Sequence, residues 1–400
     1  EDLAVAVSPT EWPWWRGPQG NGVAQGSAPT HWSGDQNVRW KTDIPGRGHS
    51  SPVVCGNAVY LATADDQAET QSILAIDRTN GDILWETIVH EGNFPTARVL
   101  HQKSTNANGT VACDGERVFA GFLNSQSIIA TALDLDGAIV WQETLGNFNS
   151  KFGYAPSPLI YKSAVIFAAD NRGGGYLSAL NRKTGKTIWR KARPAIATYS
   201  SPIIARVGGR DQLLLSGCEQ VVSFDPLTGS QNWSCPGTAE ATCGTIVWND
   251  SHVFASGGYP QNETICIDAN GNKVWSNRRR AYEPSMLLYD GALYCLNDDG
   301  IAFCWDAATG KEHWVERLDG GKSFSTSPVI AGGLIYAVNA GGTTIVFHAS
   351  TSGYREVARN QLGNDTFASP AICNGTIYLR VGESRNGRQE VLYCIDGAGR

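Results

Sequence analysis

Nine residues able to bind or transfer protons recur at comparable places in this chain. His49, His101, Lys103, Tyr154, Tyr199, Glu240, Glu283, Lys322 and Asp365 each stand at or shortly before the start of an apolar run. If those starts converge on one axis, the mixed ring they form could hold an anionic or hydroxyl-rich ligand. Glu240 and Glu283 have the oxygen chemistry of hard-cation ligands or of a general acid and base, and His49 or His101 that of a base or a pH-sensitive contact. The same residue types also occur in the wet, polar mouth of any channel, and their spacing does not separate the two readings. Stronger motifs are missing. There is no Gly-x-Ser-x-Gly elbow, no His-Glu-x-x-His, no P-loop and no Cys-x-x-Cys. Gly173-Gly174-Gly175 has no Lys-Ser/Thr behind it, and Asp298-Asp299-Gly300 lacks the alternating acids of a calcium loop.

Such a ring needs elements that repeat. A tryptophan stands four residues after a glycine at Gly81/Trp85, Gly137/Trp141, Gly185/Trp189, Gly229/Trp233, Gly271/Trp275 and Gly310/Trp314, with successive tryptophans 39 to 56 residues apart. That period is one four-stranded sheet per repeat and predicts a β-propeller. Upstream lies a second recurring element: Ser-Pro at 51, 157, 201, 327 and 369, with Pro284-Ser285 inverted and Gly109-Thr110 and Gly244-Thr245 as substitutes. That makes eight repeats. Proline cannot donate to a ladder, so this first strand should be the innermost, its free edge toward the axis. The Asp-to-Gly turns, such as Asp77 to Gly81, then close a hairpin onto the outermost strand, which carries the tryptophan.

Two repeats depart from the pattern. In the seventh, Gly353 is followed by Val357 where tryptophan is expected, which predicts looser packing there. The eighth ends after Val391 to Ile395 without a fourth strand, whereas Asn37 to Lys41, with Trp40 placed 45 residues before Trp85, has the look of an outer strand. The predicted architecture is therefore all-β: an eight-bladed propeller of four-stranded antiparallel blades, closed by an N-terminal strand. Residues 1–35 form a lead-in packed on the ring and 36–400 the single propeller domain, with 36–42 completing the last blade.

Composition narrows the function classes. Among 400 residues there are 45 glycines, 13 tryptophans and one methionine, and the net charge is -6. An acidic chain whose only basic run is Arg278-Arg279-Arg280 is not expected to bind nucleic acid. No stretch has the length of a transmembrane helix. The chain opens on Glu1, and a leader removed on export would account for that. The ten cysteines are scattered; Cys295 and Cys304 flank a hairpin and could be bridged, while the others fall where small buried residues would also fall.

The Asp-x-x-Thr-Gly-x-x-x-Trp turns resemble the tryptophan-docking repeat of pyrroloquinoline-quinone (PQQ) enzymes and their cofactor-free relatives over residues ~32 to 400. Trp12-Pro13-Trp14-Trp15-Arg16-Gly17-Pro18 is similar to the opening of exported members. The resemblance implies that Trp40, Trp85, Trp141, Trp189, Trp233, Trp275 and Trp314 dock neighbouring blades. It also leaves two branches. The quinoprotein alcohol dehydrogenase-like branch implies PQQ with Ca²⁺ in the funnel and oxidation of alcohols or sugars, with Glu240, Glu283, Asn106 and Asp365 as ligands or base; the adjacent cysteine pair of those enzymes is missing here. The BamB-like branch implies a propeller without catalysis or cofactor, periplasmic or extracellular, holding a protein or cell-envelope partner. The short repeats favour the second. A carbohydrate-binding or carbohydrate-active propeller is a third reading, drawn from the tyrosines and tryptophans.

Overall fold

The computed structural model describes residues 5, 7–95, 100–318 and 323–397. Lys322 lies outside them. The described strands form eight sheets around one axis. In the first blade, Val53–Cys55, Ala58–Asp65, Thr70–Asp77 and Ile83–Glu91 pair in that order, all antiparallel. The pattern repeats, and the last blade is completed from the other end of the chain. Val38–Ile44 pairs antiparallel with Arg388–Asp396, with Trp40 opposite Cys394 and an ion pair between Arg39 and Asp396.

The Ser-Pro element closes the ring at its centre. The backbone N–H of Ser51 donates to Thr110 Oγ1, Thr110 to Ser157, Ser157 to Ser201, Thr245 to Ser285, Ser285 to Ser327, Ser327 to Ser369 and Ser369 back to Ser51, at 2.8–3.1 Å. Each hydroxyl thereby satisfies the amide of a strand edge that has no neighbour in its own sheet. The relay skips one link, from Ser201 to Thr245. There the Thr245 hydroxyl accepts the indole N–H of Trp15 at 2.8 Å.

Glycine and tryptophan interlock farther out. A Cβ on Gly81, Gly137, Gly185, Gly229, Gly271 or Gly310 would sit 2.6–2.9 Å from the indole of the preceding blade's tryptophan. These glycines have φ of 70° to 91°, the left-handed conformation that ends each turn. The indole N–H then donates across the boundary: Trp40 to the Arg78 carbonyl, Trp85 to Leu135, Trp141 to Arg182, Trp189 to Pro226, Trp233 to Ala269, Trp275 to Ala307 and Trp314 to Ser350. The tryptophan thus fills an inter-blade gap and satisfies a turn carbonyl.

Blade seven departs from the expected looseness. Register puts Ala358, not Val357, at the tryptophan position, opposite Val346. The space is filled by Trp32 of the lead-in, 5% exposed, which stacks on Tyr336 with centroids 6.5 Å apart. The lead-in also adds Val23–Ala24 in parallel to Val329–Ala331, so this blade has five strands rather than four.

All ten cysteines are free thiols. Cys295 pairs with Phe303 and Cys304 with Tyr294. The two cysteines therefore stand one residue out of register and face opposite sides of the blade, which rules out the bridge between them. Burial pushes Cys218, Cys266, Cys304, Cys373 and Cys394 up to about 12. Thiols kept protonated in the fold ionise near 9 once unfolded, so the unfolded chain binds fewer protons between those values. The stability they contribute is complete below pH 9 and is lost as pH rises toward 12. Melting temperature measured from pH 7 to 11 should accordingly fall above pH 9, and a flat profile would contradict this burial.

Candidate functional site

The inner strands enclose a cavity of about 610 Å³ on the axis. Its floor is set by the chain's own N-terminal segment. Trp12 exchanges backbone hydrogen bonds with Val54, and Trp15 is held by Thr245 at the gap in the hydroxyl ring. Arg16 is fully enclosed, its guanidinium donating to the carbonyls of Pro328, Met286 and Asn21. Among the described residues no carboxylate pairs with it, and burial pulls it down to about 9. It remains a cation at neutral pH, so uncompensated positive charge is fixed beside the floor.

Of the residues singled out from the sequence, His49, His101, Lys103, Tyr199, Glu240 and Glu283 line this cavity. Glu283 is engaged, by Lys103 Nζ at 3.0 Å and by the Ser325 hydroxyl. Tyr199 accepts from the Ser150 hydroxyl at 3.1 Å. The His101 ring lies 4.6 Å from Phe152, which meets Tyr199 edge-on at 5.5 Å, and Lys151 Nζ sits 5.0 Å from the Phe152 centroid. His49 stacks on Phe367 at 4.6 Å. Desolvation, reinforced by Arg47, Arg380 and Arg388, holds its imidazole well below the ordinary range, so it is neutral.

Two predicted positions fall elsewhere. Tyr154 is buried between blades two and three, over the space left by Gly121, and its hydroxyl donates to the Ala168 carbonyl. Asp365 is captured by Arg388 at 2.6 Å and bridges to Gly382, away from the cavity. Sequence reasoning missed Lys151, Phe152, Arg172, Cys243, Tyr282 and Phe367, all of which line the cavity. Burial raises the Cys243 thiol, with Glu283 and Asp298 adding to the shift, so it is no thiolate nucleophile at neutral pH. Lys151 and Arg172 form no ion pair among the described residues.

The propeller has parallels among known proteins. A family model described as outer membrane protein assembly factor BamB matches residues 30–151, 101–316 and 262–355. The chain belongs to this PQQ-like propeller family. Among curated proteins it is similar to the quinoprotein alcohol dehydrogenase PedH of Pseudomonas putida, 23% identical over 264 residues, which are 64% of this chain and 38% of that protein. The chain thus matches well under half of that relative's length. Among solved structures it is similar to BamB from Moraxella catarrhalis, with a TM-score of 0.63, 17% identity and coverage of 88% of this chain and 95% of the other. It is also similar to the quinohemoprotein alcohol dehydrogenase from Comamonas testosteroni, with a TM-score of 0.69, 14% identity and coverage of 96% and 80%. At those identities the likeness is one of fold.

The quinoprotein relatives raise the question of PQQ and Ca²⁺. Of the four side chains that would serve as ligands or base, Glu240 and Glu283 line the cavity, with Glu283 neutralised by Lys103, whereas Asn106 donates to Asp66 Oδ1 at an exposed site and Asp365 is tied to Arg388. Among the described residues no three His, Cys, Asp or Glu side chains group to hold a metal ion. The donor set of this cavity therefore does not fit a Ca²⁺-bound quinone.

Proposed function

We propose that this protein is a non-catalytic propeller of the cell envelope whose central cavity binds a small anionic or hydroxyl-rich ligand, and which works as a binding or scaffolding module for a protein partner. The observation that carries the reading is the cavity's composition: an aromatic floor and walls with Lys151 and Arg172 unpaired at one side. A volume of about 610 Å³ lies within the range of small-molecule sites, about 300–1,000 Å³. Catalysis has less support, because the acid-base candidates do not assemble into a set. Glu283 is held by Lys103 and Ser325 and His49 is stacked on Phe367. Export and a protein partner draw their support from the description of the family as an outer-membrane assembly factor.

The test is a thermal-shift panel of small carboxylates, phosphates and polyols. A cavity ligand at about 100 times its Kd stabilises the fold by about 2.7 kcal/mol. A melting shift of several degrees is expected for anionic members of the panel. It should vanish in Lys151→Ala/Arg172→Ala, whose side chains are exposed and whose fold should persist. Shifts that survive in that variant would place the ligand elsewhere, and a panel without shifts would remove the reading.

A further inference from the structure

The chemistry of the cavity narrows the ligand further, on the premise that the cavity is a binding site. The hydroxyls of Ser51, Thr110, Ser157, Ser201 and Ser369 line it, and each already accepts a backbone N–H. None of the five donates its own proton to another group among the described residues. With one lone pair engaged, each can still offer a ligand its O–H beside a remaining lone pair, so the lower wall is a ring of available donors. Glu240 supplies the opposite: its carboxylate lines the cavity and makes no hydrogen bond or ion pair with any described residue. A ligand that satisfies both must carry several groups that accept and donate, as hydroxyls do.

Trp15, Phe152 and Phe367 line the same space, and aromatic side chains offer apolar area against which the C–H groups of a saturated ring can pack. Lys151 and Arg172, both lining the cavity, call for an anion. A purely aromatic acid would meet the rings and the cations but leave Glu240 and the donor ring without partners, which weakens binding. From these three features together we infer that the cavity binds a sugar acid: a hydroxylated ring bearing a carboxylate, seated over Trp15, with the carboxylate on the side of Lys151 and Arg172 and hydroxyls toward Glu240 and the Ser/Thr ring. A free sugar acid or the terminal unit of an acidic polysaccharide would meet these requirements.

Isothermal titration of the whole protein with galacturonate, glucuronate, trigalacturonate, galactose and benzoate tests this. A uronate should bind at one site per chain, at least tenfold more tightly than galactose and benzoate. Lys151→Ala/Arg172→Ala should erase the tenfold preference over galactose at an unchanged melting temperature, and Glu240→Gln should weaken both sugars. Trigalacturonate binding more tightly than the monomer marks a polysaccharide end; equal binding marks a free sugar acid. Equal affinity for galactose and galacturonate, or no uronate binding, overturns the inference. If benzoate binds in a Lys151- and Arg172-dependent way while uronates do not, the cavity reading stands and the sugar acid falls; if no compound binds, both fall.

Discussion

Deletion of residues 1–45 should leave a chain that does not fold to a soluble monomer. The segment supplies the outer strand Val38–Ile44 of the eighth blade, the strand Val23–Ala24 on the inner edge of the seventh, and Trp12, Trp32, Trp40 and Ile44, all buried. Fully burying a large apolar side chain contributes about 1.5–3 kcal/mol, so these four bring about 6–12 kcal/mol as an upper bound. That is comparable to the whole net stability of a domain, about 5–15 kcal/mol. The cut also exposes Arg388–Asp396 as a long edge strand, a template for aggregation. Size-exclusion chromatography and a thermal melt of the truncated chain decide the matter. A monomer melting within a few degrees of the full chain would contradict closure of the ring by this segment.

Gly137→Val should cost about 2–5 kcal/mol. Gly137 sits at φ 90°, where an L side chain is strained by about 1–2 kcal/mol, and its Cβ would lie 2.7 Å from the Trp85 ring. Overpacking of that kind adds about 1–3 kcal/mol. The intruding side chain displaces an indole whose N–H is bonded to Leu135 in the same turn. Gly115→Val is the matched control: its φ is 87°, but nothing lies within 4 Å of its Cβ. It should show only the backbone part of the loss in chemical denaturation. Equal losses at the two positions would mean that the indole contact contributes nothing.

Much of the fold was legible because its signals are local. Glycine four residues before tryptophan is fixed by one turn and one bulge, and Ser-Pro by one strand edge, so both could be counted along the chain and gave eight blades. What escaped depends on partners far apart in sequence. The tryptophan missing from blade seven is supplied by Trp32, about 300 residues upstream of Tyr336, and no spacing announces it. Within the cavity, His49, His101, Lys103, Tyr199, Glu240 and Glu283 were recoverable because a residue just ahead of an inner strand tends to face the axis. Tyr154 and Asp365 occupy the same kind of position but were drawn off, one into the gap at Gly121 and the other onto Arg388. Trp15 and Arg172 come from the lead-in and from a hairpin loop, outside the positions that the repeat brings to attention.

The single missing link in the hydroxyl relay has a bearing on how a ligand would lie. Eight similar blades around an axis would offer a guest eight near-equivalent poses, and it would rotate among them. Because the indole of Trp15 takes the place of one amide, at Thr245, the floor has a marked azimuth. The unpaired cations stand to one side of it and Glu240 at another, so the walls carry the same sense of direction upward. A guest that is itself asymmetric can then settle in one orientation, and a funnel built by repetition becomes able to tell one end of a molecule from the other.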